Sequence, residues 1–335
     1  MVPSISIQAY DAATQRAGLV ERTEYSYIVV SGKDRASYLQ GLLTNDITAL
    51  GPGQGCYAAY LTAQGRMIAD LWVYELGDVI LLRVLRDVKS TVLERLDQFV
   101  FSEDVKLGDV TDAFMAIAVV GPKAATFLSS VLEITDATLD TLSEHGNLRA
   151  SFQGESAIVL RITDFGEPAL EILIEAIAFE SLRAALRRAG AVVIDDATAE
   201  ALRIEAGVPK FHQDMDEETI PLEAGIESRA ISLTKGCYVG QEVIIRVLHR
   251  GHGRVARKLV GLVKSDDVML TRGAIVHADG KEIGEVTSAA WSPALQHPIA
   301  MAYVHRDFVA PGTHVTVEGA DAEVVALPFR SSANL

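Results

Sequence analysis

A lone thiol stands between two glycines and close to a cation. The octapeptide from Lys235 to Glu242 reads Lys-Gly-Cys-Tyr-Val-Gly-Gln-Glu and places Cys237 two residues after the lysine. Glycine lets the backbone adopt conformations that other residues resist and lets a second molecule approach closely. A nearby ammonium favours the nucleophilic thiolate, so Cys237 and Lys235 are candidates for thiol chemistry. The alternative is a glycine-rich turn around a buried cysteine, since free cysteine is among the most buried residue types.

Two segments of the same pattern indicate an internal duplication of the elements that surround this motif. Residues 25–30 form an apolar, strand-like run, followed by a turn and by apolar residues at helical spacing. The pattern returns 89 positions later, where Val119 corresponds to Val30. Each copy continues with three strand-like runs and a closing helix. The sequence therefore predicts an α+β fold with two duplicated lobes, about residues 20–110 and 111–195, and a cleft between them.

The rest of the chain is predicted to form a connecting module and a small barrel. Residues 196–250 contain a helix that ends at a Gly-Val-Pro turn, an acidic stretch and the cysteine octapeptide. From residue 251 to 330, five or six short strand-like runs are separated by glycine and aspartate. Such spacing is typical of a small antiparallel β-barrel.

Composition excludes several classes of function. Thirty basic against 45 acidic residues give a formal charge of -15, which disfavours nucleic acid and anionic membranes as partners. Cys56 and Cys237 are far apart and show no metal-ligand spacing, so no metal site or disulfide framework is predicted and a reducing, cytoplasmic setting is expected. No secretion signal and no apolar run of ~20 residues is seen, so no membrane association is expected.

Three segments together resemble the YgfZ-type folate-binding proteins, which support iron-sulfur cluster assembly and repair. The segments are residues 32–41, residues 202–207 (Leu-Arg-Ile-Glu-Ala-Gly) and the octapeptide of residues 235–242. That group is related to the T-protein of the glycine cleavage system, a tetrahydrofolate-dependent aminomethyltransferase, whose chain differs at the octapeptide. The resemblance implies the aminomethyltransferase folate-binding fold over residues 1–250, with tetrahydrofolate in a central cavity between the lobes and the connecting module.

The resemblance also implies two folate contacts. Glu171 matches the T-protein glutamate that holds the pterin ring, a task suited to two carboxylate oxygens accepting side by side. Arg203 matches an arginine at the folate site, where a guanidinium can pair with a carboxylate of the ligand's tail. The alternatives are a solvated glutamate, since residues 169–175 alternate in polarity, and an exposed helical arginine.

Two departures from the T-protein pattern bear on catalysis. T-proteins carry an Asp-Asp pair of which one member acts on the folate amine that accepts the one-carbon unit; here the pair is Ala69 and Asp70. Asp70 is a candidate for both catalysis and folate contact, or is structural if the first member of the pair is the catalytic one. A T-protein tyrosine is also replaced, by Asp164. Both departures weaken the case for aminomethyl transfer.

The sequence thus predicts a folate-binding protein that acts on iron-sulfur proteins. Glu171, Arg203 and Asp70 would border the folate cavity, and Cys237 near it would serve cluster assembly or repair together with the assembly machinery or client iron-sulfur proteins. A single cysteine cannot hold a cluster alone. The alternatives are a tetrahydrofolate-dependent aminomethyltransferase or demethylase, and a folate-sensing adaptor without chemistry.

Overall fold

The computed structural model describes residues 5–249, 253–264 and 266–330. The predicted boundary between residues 250 and 251 lies outside the described residues. The helices are α1 (Ile7–Gln15), α2 (Arg35–Leu42), α3 (Lys89–Asp97), α4 (Ala124–Ser129), α5 (Asp136–Asp140), α6 (Ala176–Arg188), α7 (Asp196–Glu205), α8 (Pro221–Ala224), α9 (Glu227–Ala230) and α10 (Gln241–His249), with a short 3-10 turn at Arg306–Phe308.

The strands that carry the site form two sheets, and the remainder form a barrel. The strands are β1 (Gly18–Glu21), β2 (Tyr25–Ser31), β3 (Gly55–Leu61), β4 (Met67–Glu75), β5 (Ile80–Leu85), β6 (Lys106–Asp109), β7 (Phe114–Val120), β8 (Asn147–Phe152), β9 (Glu155–Ile162), β10 (Ala169–Glu175), β11 (Val192–Val193), β12 (Arg257–Lys264), β13 (Ile275–Ala278), β14 (Lys281–Ser292), β15 (His297–His305), β16 (His314–Val317) and β17 (Ala320–Val325).

The two lobes have the same strand order, which confirms the predicted duplication. The first sheet runs β3-β4-β5-β2-β6, and the second runs β8-β9-β10-β7-β1-β11. The first four strands of each sheet therefore correspond one to one. The edges differ, because β1 precedes the first lobe in sequence yet pairs with β7 and β11 of the second. The chain thus contributes a strand to the second lobe before it forms the strands of the first lobe.

The second sheet is buried on both faces, and this decides where Glu171 points. Along β10, Leu170 and Ile172 face the helices of their own lobe, in one core with Leu182 of α6. Leu173, on the opposite face, joins the core shared with the first lobe. Side chains alternate along a strand, so Glu171 faces the space between the lobes. It is 0% exposed, which rules out the alternative of a solvated glutamate.

The connecting module docks on the outside of the barrel through α7. Asp195 caps this helix by accepting a hydrogen bond from Thr198 N at 2.8 Å. Its apolar side chains, Ala201 and Ile204, pack against Met301 and other barrel residues. This packing holds the end of α7, where the Leu-Arg-Ile-Glu-Ala-Gly segment lies, between the lobes and the barrel.

The barrel is a closed six-stranded sheet, as predicted, in the order β12-β15-β14-β13-β16-β17. Its interior is filled by small and branched apolar residues such as Leu262, Val276 and Val317, all 0% exposed. Adjacent strands pair antiparallel around the ring. Among the described helices, none has the length and apolarity that a membrane span requires.

Candidate functional site

A cavity of about 630 Å³ lies between the two lobes and the connecting module. Its walls include the aromatic side chains of Tyr25, Trp72 and Phe165, and Asp70 and Asp164 are among the acidic residues that line it. Helix α7 and the loop that follows it close the other side. Aromatic walls with a few convergent polar groups are typical of small-molecule sites.

Asp70 lines this cavity, and one of its carboxylate oxygens has no hydrogen-bond partner in the protein. Oδ2 accepts a hydrogen bond from the Tyr57 hydroxyl at 2.7 Å, whereas Oδ1 has no protein partner. Burial raises the pKa of Asp70 to about 6, despite the hydrogen bond from Tyr57, which lowers it. A carboxyl group that titrates near neutrality is suited to accept and return a proton.

The alanine at position 69, where T-proteins have the first aspartate of the pair, leaves the Asp70 carboxylate in place at the cavity. Ala69 and Asp70 are neighbours in β4, where successive side chains point to opposite faces of the sheet. Asp70 lines the cavity, and Ala69 does not. The substitution at position 69 therefore falls on the face turned away from the cavity.

A buried ion cluster lies beside the cavity and holds both Asp164 and Glu171. Arg83 Nη2 lies 2.6 Å from Asp164 Oδ2 and 3.1 Å from Glu171 Oε2. Arg22 pairs with the same Asp164 oxygen. Tyr27 donates its hydroxyl proton to Glu171 Oε1 at 2.8 Å. Burial would raise the pKa of Asp164, but the charges of Arg83 and Arg22 outweigh it and hold that pKa below its usual range.

Glu171 therefore lies behind the cavity wall. It is fully buried; its Oε1 accepts a hydrogen bond from Tyr27, whereas its Oε2 forms an ion pair with Arg83 and accepts no hydrogen bond. Reasoning from sequence missed Arg22 and Arg83, although one signal was available. Arg83 is the single charged residue in the apolar strand Ile80–Leu85, and arginine is almost never fully buried unless it is paired.

Arg203 lines the cavity, but all of its donors are occupied by the protein. Nε donates to Glu200, Nη1 to Val208 O and Asp214, and Nη2 to Glu200 and Ser288. A guanidinium has five N–H groups, and these five bonds use all of them. The guanidinium that was expected to bind the folate tail instead ties α7 to the following loop and to β14 of the barrel.

Lys235 of the octapeptide binds the end of helix α2 and not the thiol beside it. Its Nζ donates to the carbonyl oxygens of Gln40, Leu43 and Asn45 at 2.6–2.7 Å. An ammonium has three donors, so these bonds saturate it. The expected activation of Cys237 by this ammonium is thus not what the geometry provides.

Cys237 is exposed on a loop that the structure anchors on either side. Gly240 has a φ of 86°, and a Cβ there would lie 2.5 Å from Thr62 O, so only glycine fits. A Cβ on Gly236, by contrast, would meet nothing within 4 Å. Among the described residues, Cys237 is not part of the cavity lining. The thiol faces solvent beside an unobstructed backbone, not the predicted cavity.

Comparison with known proteins identifies the family. Residues 3–235 match the family model described as the GCVT N-terminal domain, and residues 257–330 match the glycine cleavage T-protein C-terminal barrel domain. The chain belongs to the glycine cleavage T-protein family. This is the broader of the two groups that the sequence resembles, and the matches do not extend to the YgfZ-type assignment.

The relatives of this T-protein family member align with nearly its whole length. An aminomethyltransferase of Streptomyces avermitilis is 34% identical over 95% of this chain and 87% of its own. An aminomethyltransferase of Nostoc sp. is 31% identical over 97% of this chain and 88% of its own. The crystal structure of glycine cleavage system aminomethyltransferase T from Bartonella henselae superposes with a TM-score of 0.86 at 23% identity, covering 97% of this chain and 89% of that one. The last similarity supports the fold.

A second cavity of this T-protein family member is larger than the Asp70 cavity, but its chemistry is less suited to an active site. It measures about 750 Å³ and lies between the connecting module and the barrel. Among the described residues, none of the buried carboxylate oxygens that lack a hydrogen-bond partner belongs to its lining. The cavity at Asp70 is therefore the candidate active site.

Proposed function

We propose that this T-protein family member binds tetrahydrofolate in the Asp70 cavity and catalyses one-carbon transfer of the aminomethyltransferase type. The place of Asp70 on the cavity wall carries the proposal together with its Oδ1, which has no hydrogen-bond partner in the protein and which a bound ligand could supply with one. Tetrahydrofolate, when bound, supplies the amine nitrogen that takes up the one-carbon unit. The names of relatives 31% and 34% identical over almost the entire chain support the same activity.

In this proposal Asp70 acts on the proton of the folate amine. Its pKa of about 6 makes the carboxylate the main form at neutral pH, ready to accept that proton. Tyr57 fixes the carboxylate by donating to Oδ2, which leaves Oδ1 for the ligand. Glu171 and Arg203 contribute by holding the surrounding wall, through Arg83 and through Asp214 respectively.

Replacing Asp70 by asparagine tests the proposal. Formation of methylenetetrahydrofolate from an aminomethyl or methylated-amine donor should fall about 100- to 10,000-fold, the range of general acid-base catalysis. Calorimetric titration should show that tetrahydrofolate still binds, since the amide is isosteric. Glu75→Gln is the matched control, because Glu75 is a buried carboxylate in the same strand that binds Arg35 and Gly77 and does not line the cavity. Absence of saturable tetrahydrofolate binding to the wild-type protein would refute the proposal.

The exposed Cys237 favours a second candidate function, the YgfZ-type support of iron-sulfur cluster assembly or repair. The thiol is exposed beside Gly236, and neither position is obstructed by the fold. A partner protein or client iron-sulfur enzyme could reach it directly.

Cys237→Ser separates this candidate from the first. Cells that rely on the variant should lose activity of iron-sulfur enzymes, while the purified variant keeps its affinity for tetrahydrofolate. Cys56→Ser is the control, because Cys56 is buried and burial raises its thiol pKa to about 12. Full iron-sulfur enzyme activity in cells that carry Cys237→Ser would eliminate the second candidate and leave the transferase standing.

A further inference from the structure

We infer that Arg330, which follows the last strand of the barrel, is a positioning residue for ligand binding. It balances the charge of two buried carboxylates and so holds the turn between β9 and β10 in the cavity wall. The inference rests on the proposed function, because the ligand concerned is tetrahydrofolate in the Asp70 cavity. Arg330 itself does not line that cavity, so its effect on the ligand passes through the turn.

The turn of residues 163–168 forms part of the cavity wall. Asp164 and Phe165 line the cavity. Gly166 has a φ of 69°, and a Cβ there would lie 2.8 Å from the Cβ of Ala206, so the turn lies directly against the end of α7. Any displacement of the turn from α7 would therefore move Phe165 and change the shape of the cavity.

Different cations hold the two ends of this turn. Arg22 and Arg83 pair with Asp164 at its beginning. At its end, Arg330 Nη2 lies 3.1 Å from Glu167 Oε1. In the part of the chain that the structure describes, Glu167 forms no ion pair with any other cation. Within that part, Glu167 depends on Arg330 for its counter-charge.

A second buried carboxylate shares the same guanidinium. Arg330 Nη1 lies 3.2 Å from Glu205 Oε2, and the side chains of Glu167 and Glu205 are only 3% and 1% exposed. Burial raises the pKa of Glu167; the Arg330 guanidinium opposes this, and the charge of Glu205 adds to it. Without Arg330, two like charges would lie buried with no counter-charge, which is strongly unfavourable.

The other contacts indicate which of the two carboxylates would move. Glu205 belongs to α7, and its carboxylate also accepts hydrogen bonds from Tyr10 and Ser292. The backbone N–H of Arg330 donates to the carbonyl oxygen of Glu205 at 3.3 Å, which fixes Arg330 beside the same helix. Glu167 lies in a turn instead. Loss of the guanidinium should thus displace Glu167 with its turn, while α7 stays in place.

A charge-rescue experiment tests the inference. Arg330→Met should raise the calorimetric Kd and the KM for tetrahydrofolate about 10- to 100-fold, the effect of a displacement of about 1 Å. The kcat at saturating tetrahydrofolate should stay within about twofold, because Asp70 is unchanged. Adding Glu167→Gln should return Kd and KM to within about threefold of the wild type, since the amide removes the unbalanced charge. Arg149→Met, which breaks an exposed ion pair with Asp78, is the matched control and should alter neither constant.

Each outcome decides the inference. A rise in Kd that Glu167→Gln reverses supports it. An unchanged Kd in Arg330→Met overturns it, and so does a rise that the second substitution leaves or enlarges, because Arg330 then acts on stability alone. If Arg330→Met does not fold, Arg330→Lys decides, since lysine keeps the charge: affinity within about threefold of the wild type supports the inference and a larger loss overturns it. A wild-type protein that binds no tetrahydrofolate removes the proposed function itself, which every other outcome leaves standing.

Discussion

At the scale of single residues, the buried carboxylate of Asp70 is suited to proton transfer, but its charge destabilises the folded protein at neutral pH. Burial disfavours its charged form and raises its pKa from 3.8 to about 6. At neutral pH the folded protein nevertheless carries this charge, with one oxygen lacking a protein partner. Active sites commonly retain such destabilising groups because function requires them.

Asp70→Asn should therefore stabilise the protein at neutral pH. A carboxyl group whose folded-state pKa is raised contributes most stability below its unfolded pKa of 3.8 and loses it as pH rises through about 6. The amide imitates the protonated form at every pH. The variant should exceed the wild type by up to about 3 kcal/mol in free energy of unfolding at pH 7.5, and by little at pH 4. Urea denaturation at both pH values measures this, and an equal difference at the two would contradict it.

At the scale of secondary-structure elements, Lys235 joins the octapeptide loop to helix α2. The last carbonyl groups of a helix have no partner within the helix and must find one elsewhere. Here the Lys235 ammonium satisfies the carbonyl groups of Gln40 and Leu43, with that of Asn45 just beyond. The lysine of the motif thus shapes the loop on which Cys237 is displayed.

Lys235→Met should destabilise the protein by about 2–4 kcal/mol, because three carbonyl oxygens lose a charged donor in a largely buried place. The measurement is the free energy of unfolding in guanidinium chloride. Cys237→Ser, two residues away and exposed, is the control and should change that free energy by less than about 0.5 kcal/mol. Equal effects of the two substitutions would show that Lys235 does not anchor the loop.

His212 ties the cavity loop to the first lobe in a pH-dependent way. Its ring nitrogens lie 2.7 Å from Asp87 Oδ2 and 3.1 Å from Glu217 Oε1. Burial lowers the pKa of His212, but hydrogen bonds to Asp87 and Glu217 outweigh this and raise it overall. The stabilisation is thus complete below the ordinary histidine pKa of 6.5 and is lost as pH rises through the higher, folded-state value.

His212→Asn should remove this dependence without straining the backbone, since asparagine tolerates the φ of 60° found there. The wild type should be more stable than the variant at pH 5.5, and the gap should narrow by pH 8.5, as followed by urea denaturation. His277→Asn, at an exposed histidine of β13, is the control substitution. A gap for His212→Asn that does not vary with pH would disprove the link.

Sequence periodicity predicts the elements well and their long-range ion pairs poorly. Both lobes and all six barrel strands were recognisable because burial leaves a repeating apolar pattern along each element. The cluster of Arg22, Arg83 and Asp164 was not, since its members are 61 or more positions apart in sequence and meet only after the two sheets pack. The occupied state of Arg203 has a different origin: Glu200, Val208 and Asp214 lie within 11 positions of it, and only Ser288, 85 positions away, is brought to it by the packing of the barrel.

At the scale of the whole molecule, the Leu-Arg-Ile-Glu-Ala-Gly segment connects the lobes to the barrel through the hydrogen bonds of Arg203 and Glu205. Arg203 reaches Ser288 of β14, and Glu205 Oε1 accepts the hydroxyl proton of Ser292 in the same strand. Glu205 Oε2 accepts from Tyr10 of α1 and from Arg330 beyond the barrel. Two neighbouring side chains thus connect three parts of the chain.

Arg203→Lys should weaken this connection between the lobes and the barrel. A lysine ammonium has three N–H donors and cannot make the five hydrogen bonds that the planar guanidinium makes to its buried partners. The free energy of unfolding should fall by about 2–4 kcal/mol in a denaturant titration. Affinity for tetrahydrofolate and for tetrahydropteroate, which lacks the glutamate tail, should fall by the same factor. A selective loss of tetrahydrofolate affinity would instead show that Arg203 binds the ligand's tail.

The crossing of β1 into the second sheet has a consequence for the nascent chain. Gly18 pairs with Val120, 102 positions later, and with Val192. At a synthesis rate of about 5–20 residues per second, β1 leaves the ribosome roughly 5–20 s before its first partner strand is made. Its hydrogen-bonding edges stay open to other chains during that interval. Translation speed and chaperone access over the first lobe therefore influence how much of this protein reaches its native form.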